Sequence, residues 1–166
     1  MTSVEESSKY VDIAKSLIGE AVYSLSNSQY FFNDEKDDED FGDIEILTSS
    51  KLKVCFKLLN DGESVGAYEG DLQVPSSFEF REGEQASWKR LSLKQANGVV
   101  GNTIIAIEAM YDRHLKFKSK VLAGWKVKLS NGNYFVFYNC GDNARFLFNE
   151  LPNDASKDIE TIWQQI

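Results

Sequence analysis

One histidine, two cysteines and two prolines among 166 residues leave little material for metal or acid–base chemistry. A zinc site would be a ligand short, and a disulfide framework needs more thiols. Cys55 and Cys140 are far apart in sequence, with no C-x-x-C. Cys55 falls within a strand pattern. Cys140 lies in Asn139-Cys140-Gly141-Asp142, just before a stretch read as helical, where a thiolate could be favoured, and its sole imidazole partner by composition is His114. No apolar run reaches the ~18 residues of a membrane-spanning helix. MTSVEESSKY has neither a positive n-region nor an apolar h-region, so a cytoplasmic chain with reduced thiols is expected. P-loop, G-x-G-x-x-G, G-x-S-x-G and H-E-x-x-H patterns are missing. Gly98-Val99-Val100-Gly101 lacks a third glycine and is a loop. With 26 acids, carboxylate pairs for glycosidase-type chemistry always exist, but no spacing singles one out.

Hydrophobic residues make up 42% and aromatics 13%, which argues for a packed core rather than disorder. A chain of this length buries about 70% of its extended surface, so one domain spanning 1–166 is expected. The net charge of −8 weighs against general nucleic-acid binding.

Ser3-x-x-Glu6 matches a capping box, and Val11, Ala14, Leu17, Ile18, Ala21, Val22 and Leu25 recur at helical spacing. The spacing predicts an amphipathic helix over about 4–25, stopped by Ser24, Ser26, Asn27 and Ser28. From Ile44 the period changes to two, through Ile46 and then Leu52, Val54, Phe56 and Leu58. Asn60-Asp61-Gly62 turns the chain. Residues 64–72 and 77–81 read as strands, the latter with Phe78 and Phe80 on one side, and Pro75 falls at an edge or in a connection. Trp88 to Ala96 allows a short helix; 103–111 is strand or helix, with β-branched residues favouring strand. Residues 114–120 alternate Leu115 and Phe117 with lysines. Residues 125–129 and 134–139 form a hairpin about Ser130-Asn131-Gly132. Gly141-Asp142 then caps a helix over 142–149, and a last helix from about Asp154 or Ser156 carries Ile159, Ile162, a buried Trp163 and Ile166. The expectation is α+β: a mostly antiparallel sheet with an N-terminal amphipathic helix and C-terminal helices.

Charge is uneven. Residues 1–83 hold 7 Lys and Arg against 18 Asp and Glu, whereas 84–166 hold 11 against 8. Arg113, Lys116, Lys118, Lys120, Lys126 and Lys128 alternate with apolar residues, as on the solvated face of a sheet. Residues 34–43 carry seven carboxylates and one lysine. They are no EF-hand, because Phe41 and Thr48 fall at ligand positions, and are read as an acidic loop at about 33–43. Tyr30, Phe31, Phe32 and Phe41 flank or punctuate it. Carboxylates around aromatic anchors suit capture of a basic protein, charge steering the encounter and rings supplying contact energy.

In size, acidity, this segment and the missing catalytic set, the chain resembles the small immunity proteins of bacterial toxin systems, including contact-dependent inhibition systems. The resemblance is one of character over the whole chain, without a motif. It implies a compact, cytoplasmic, non-catalytic inhibitor that covers a nuclease-like toxin. Tyr30, Asp34, Glu35, Asp37, Asp38, Glu39, Asp40, Phe41 and Asp43 are the expected partner-binding residues, with no cofactor, metal, membrane or direct nucleic-acid contact. The alternatives are a small-molecule or scaffold domain using an apolar sheet face, for which 134–138 offers aromatics, and an enzyme using Cys140 and His114 or a carboxylate pair.

Overall fold

The computed structural model describes residues 4–117, 119–153 and 157–166, without the side chains of residues 94 and 95. Ser3, Lys118, and the helix start expected at Asp154 or Ser156 lie outside the described residues. The order is α1 (Val4–Lys15), β1 (Val22–Phe32), β2 (Glu35–Lys36), β3 (Ile44–Thr48), β4 (Lys53–Leu58), β5 (Val65–Glu69), β6 (Phe78–Arg81), β7 (Glu84–Ser92), a 3₁₀ turn (Lys94–Gly98), β8 (Ile104–His114), β9 (Lys120–Leu129), β10 (Tyr134–Cys140), β11 (Asn143–Phe148) and β12 (Ile159–Gln165). The first sheet runs β5-β4-β3-β1-β7-β6, with β2 on β1; the second runs β11-β10-β9-β8-β12. Every pairing between these strands is antiparallel.

This corrects the α+β expectation. Strands hold 54% of the residues and helix 10%. The helix foreseen over 4–25 ends at Lys15; Gly19 at φ +91° reverses the chain, and β1 follows. The serines expected to stop a helix lie within β1 instead, Ser26 and Ser28 buried and paired to β7. Both C-terminal helices are strands. Gly141 and Asp142 sit at φ +59° and +70°, consecutive left-handed residues that make a two-residue hairpin turn rather than a helix cap. β11 then places Ala144 and Phe146 in the core. In β12 the 3–4 spacing of Ile159, Ile162, Trp163 and Ile166 splits between the two strand faces. Trp163 lies opposite Met110 and is half-buried, not buried. The helix allowed over 88–96 is β7 followed by the 3₁₀ turn. Residues 103–111 are strand, and 114–117 leave β8 through a turn. The 125–139 hairpin is β9–β10, with β10 between two partners.

The sheets face each other across one core. Phe56 stacks on Trp125 at 5.4 Å between ring centres, and Phe137 lies 6.1 Å from Phe56. The same cluster takes in Leu25, Ile44, Ile46, Ile104, Ile107, Phe135 and, from the α1 end, Ala14 and Leu17. Burying residues of this size contributes roughly 1.5–3 kcal/mol each. A second cluster, Met110, Ala123, Val136 and Tyr138, lies behind β8–β10.

β5 and β6 stand at opposite edges of the first sheet, five strand spacings or roughly 24 Å apart. The connection through Pro75 must therefore run nearly extended. It crosses the outer face, where Leu72 is buried and its N–H donates to Glu45 Oε2 (2.8 Å). It delivers β6 alongside β7.

Candidate binding surface

β1 alternates its side chains, so Leu25, Asn27 and Gln29 face inward while Tyr30 and Phe32 face outward. A strand interior with buried amides needs partners, and the acidic segment supplies them. Gln29 Nε2 donates to the carbonyls of Asp37 (2.6 Å) and Asp40 (2.9 Å), and Asn27 Nδ2 donates to that of Phe41 (2.8 Å). Ser28 Oγ accepts from the Asp43 N–H at 3.1 Å.

The acidic segment is turn and coil outside the two residues of β2, and these bonds pin it to β1. Asn33 and Asp34 are left-handed (φ +48° and +65°) and close the β1–β2 hairpin, with Phe32 opposite Glu35. Asp34, Glu35, Asp38 and Glu39 are exposed. Lys36 pairs with Asp38 at 3.4 Å. The remaining acids hold backbone. Asp37 Oδ1 accepts from the Glu39 N–H (2.9 Å), Asp40 Oδ1 from Gly42 (3.1 Å) and Asp43 Oδ1 from Leu58 (3.1 Å). Burial raises the Asp40 pKa and pushes that of Asp43 up to about 6, against the opposing pull of the Leu58 amide and Lys57. Phe41 packs against the core, 6.1 Å from Phe146, and its N–H donates to the Ala144 carbonyl (3.0 Å). It serves the fold.

Tyr30, by contrast, opens a row of rings. It lies 5.2 Å from Trp88; Trp88 lies 5.9 Å from Phe78, Phe78 5.9 Å from Phe80, and Phe80 5.9 Å from Phe32. Phe32, Ala86 and Phe78 sit opposite one another on β1, β7 and β6 and so share a face. Phe32, Phe78 and Phe80 are 39%, 52% and 47% exposed. The rings thus form one contiguous, partly exposed aromatic row. At its tip lies a groove of about 430 Å³ lined by Asn33, Asp34, Glu79, Gly83, Glu84 and Gln85. Asn33 ties the tip together, its Oδ1 accepting from the Gln85 N–H at 2.7 Å. Alternation puts Phe78 and Phe80 on one side of a strand but does not join them to Trp88, because 88–96 allows a short helix where the chain instead turns at Glu82-Gly83 and returns as β7. The crossing connection sets this hairpin beside Tyr30 and Phe32.

Cys140 is half-buried beside the outer cluster of the second sheet with Tyr134 and Leu147. His114 lines a cavity of about 220 Å³ with Glu63, Asp112, Asn139 and Gly141. The buried Cys55 thiol donates to the Gly70 carbonyl (3.4 Å), and burial pushes its pKa up to about 12. In 134–138, Phe135 and Phe137 fill the core while Val136 and Tyr138 belong to the outer cluster. Lys126 and Lys128 pair with Glu108 at 3.4 and 3.3 Å, and Arg113 pairs with Glu160. Among the described residues no group of three or more His, Cys, Asp and Glu side chains could hold a metal ion, and no helix is long and apolar enough to cross a membrane.

Fold and surface together define a two-sheet antiparallel protein with an acid-rimmed aromatic row on one outer face. No family model, curated protein or solved structure matches the chain.

Proposed function

We propose that the protein is a protein-binding module that captures a basic partner, in the manner of an immunity-type inhibitor covering the nucleic-acid-binding cleft of a nuclease-like toxin. The observation that carries this is the row Tyr30–Trp88–Phe78–Phe80–Phe32, partly exposed and bordered by Asp34, Glu35, Glu79 and Glu84. The rings supply rigid apolar contact, and the carboxylates steer a cation toward it and exclude acidic competitors. A partner held there loses access to its own polyanionic substrate.

The exposed acids and the ring row separate two roles in one experiment. Asp34, Glu35, Asp38 and Glu39 changed together to Asn or Gln should slow association with a cationic nuclease domain at least tenfold at low salt, with melting unchanged. Trp88→Ala should instead speed dissociation. Stopped-flow kinetics at two salt concentrations read both. Unchanged rates in both variants would remove the surface from the function.

A further inference from the structure

Resting on that reading, we propose that β6 takes an extended, basic segment of the partner as an added strand of the first sheet. β6 is the last strand of its sheet, paired on one side only, with β7. All four of its residues are exposed. Among the described residues no further backbone hydrogen bond engages 78–81. An open edge of this kind binds chain through main-chain hydrogen bonds and selects it through alternate side chains.

The two sides of this edge ask for different side chains. Phe78 and Phe80 extend the ring row to the rim of the sheet, so every second residue of an added strand meets an apolar wall. The intervening residues meet Glu79 and, at the tip, the groove bearing Asp34 and Glu84. Arg81, 3.9 Å from Glu84, offsets only part of that charge. The complement is a segment alternating Lys or Arg with β-branched or aromatic residues.

The edge also carries features that limit indiscriminate pairing. The β6–β7 register shifts between Glu79 and Arg81, and charges alternate with the rings. A short, bulged, charged edge resists self-association. A second copy would bring another Asp34, Glu79, Glu82 and Glu84 to the same place. A cationic foreign strand relieves that repulsion instead.

The probe is a blocked octapeptide alternating lysine and valine, titrated at low salt into the isotope-labelled full chain, with two further versions N-methylated on all lysines or on all valines. In edge pairing one set of peptide N–H groups faces β6 and the other faces solvent. The expected result is binding of the parent peptide, slowed amide exchange at 78–81, at least tenfold weaker binding of one methylated version and no more than a twofold change for the other. Equal behaviour of the two methylated versions overturns strand addition. In that case, shifts at Phe32 and Trp88, lost when Asp34, Glu79 and Glu84 become Asn or Gln, leave capture by rings and charge standing. Failure of the parent peptide to bind also overturns strand addition and leaves the nuclease kinetics to decide the broader reading. Exchange protection at 78–81 that grows with protein concentration, without peptide, assigns the edge to a second copy and overturns the proposal.

Discussion

Glu45 has 2% of its side chain exposed, on the outer face of the first sheet, and three donors meet it there. Arg90 approaches in bidentate fashion at 3.0 and 2.7 Å, and the Leu72 N–H adds a third bond. Burial alone would raise the Glu45 pKa, but Arg90 and the Leu72 amide lower it on balance. Arg90→Ala strips this carboxylate of its cation and should cost about 2–3 kcal/mol in urea unfolding, less than a fully buried pair because Arg90 is itself half in water. Asp43 behaves in the opposite way. Its carboxyl titrates near 6 in the fold against an ordinary value of 3.8, so the folded state holds its proton more tightly. Stability from this group is present at low pH and declines as pH rises through about 4 to 6. Asp43→Asn keeps an acceptor for Leu58 and removes the penalty; its gain in stability should be about 1 kcal/mol larger at pH 7.5 than at pH 5, read from urea midpoints. A constant gain would show that Asp43 does not titrate in this window. Gly124 is fixed by space: a Cβ there would lie 2.7 Å from the Phe137 carbonyl oxygen and from Tyr138 Cβ. Gly124→Ala should destabilise by about 1–3 kcal/mol through overpacking.

At the level of elements, β12 tests the correction most sharply. As an edge strand it lays Trp163 over Met110, with the Lys126 ammonium 5.6 Å from the indole. Trp163→Ala should cost about 2 kcal/mol, below the ~3–5 of a fully buried tryptophan, and should speed exchange along β12 while leaving the α-helical circular-dichroism signal unchanged. Loss of helical signal would contradict a strand there. The β9–β10 hairpin is legible in the sequence because alternation and Asn131-Gly132 agree. β12 is not, since a 3–4 spacing also results when isoleucines occupy both faces of one strand. Gly141-Asp142 serves a hairpin turn as well as a helix cap, and only the partner strand decides between them. β1 is concealed by its serines and amides, which make sense once the acidic segment and Arg90 supply their bonds.

Across the whole molecule, the acidic segment divides along its length. The carbonyls of Asp37, Asp40 and Phe41 are consumed in holding β1, while Asp34 and Glu35 stand beside a ring row assembled from β1 and the distant β6–β7 hairpin. The composition of the surface is readable from the chain, as carboxylates beside Tyr30 and Phe32. Its extent is not, because Phe78, Phe80 and Trp88 reach it through a crossing connection with no local signature. The measurement that bears most directly on the account is chemical-shift mapping of the labelled chain with a cationic nuclease domain. Shifts should concentrate at Tyr30, Phe32, Asp34, Glu35, Phe78, Phe80 and Trp88 and fade with added salt. Shifts centred instead on His114 and Cys140, or on the outer cluster around Met110 and Trp163, would contradict it.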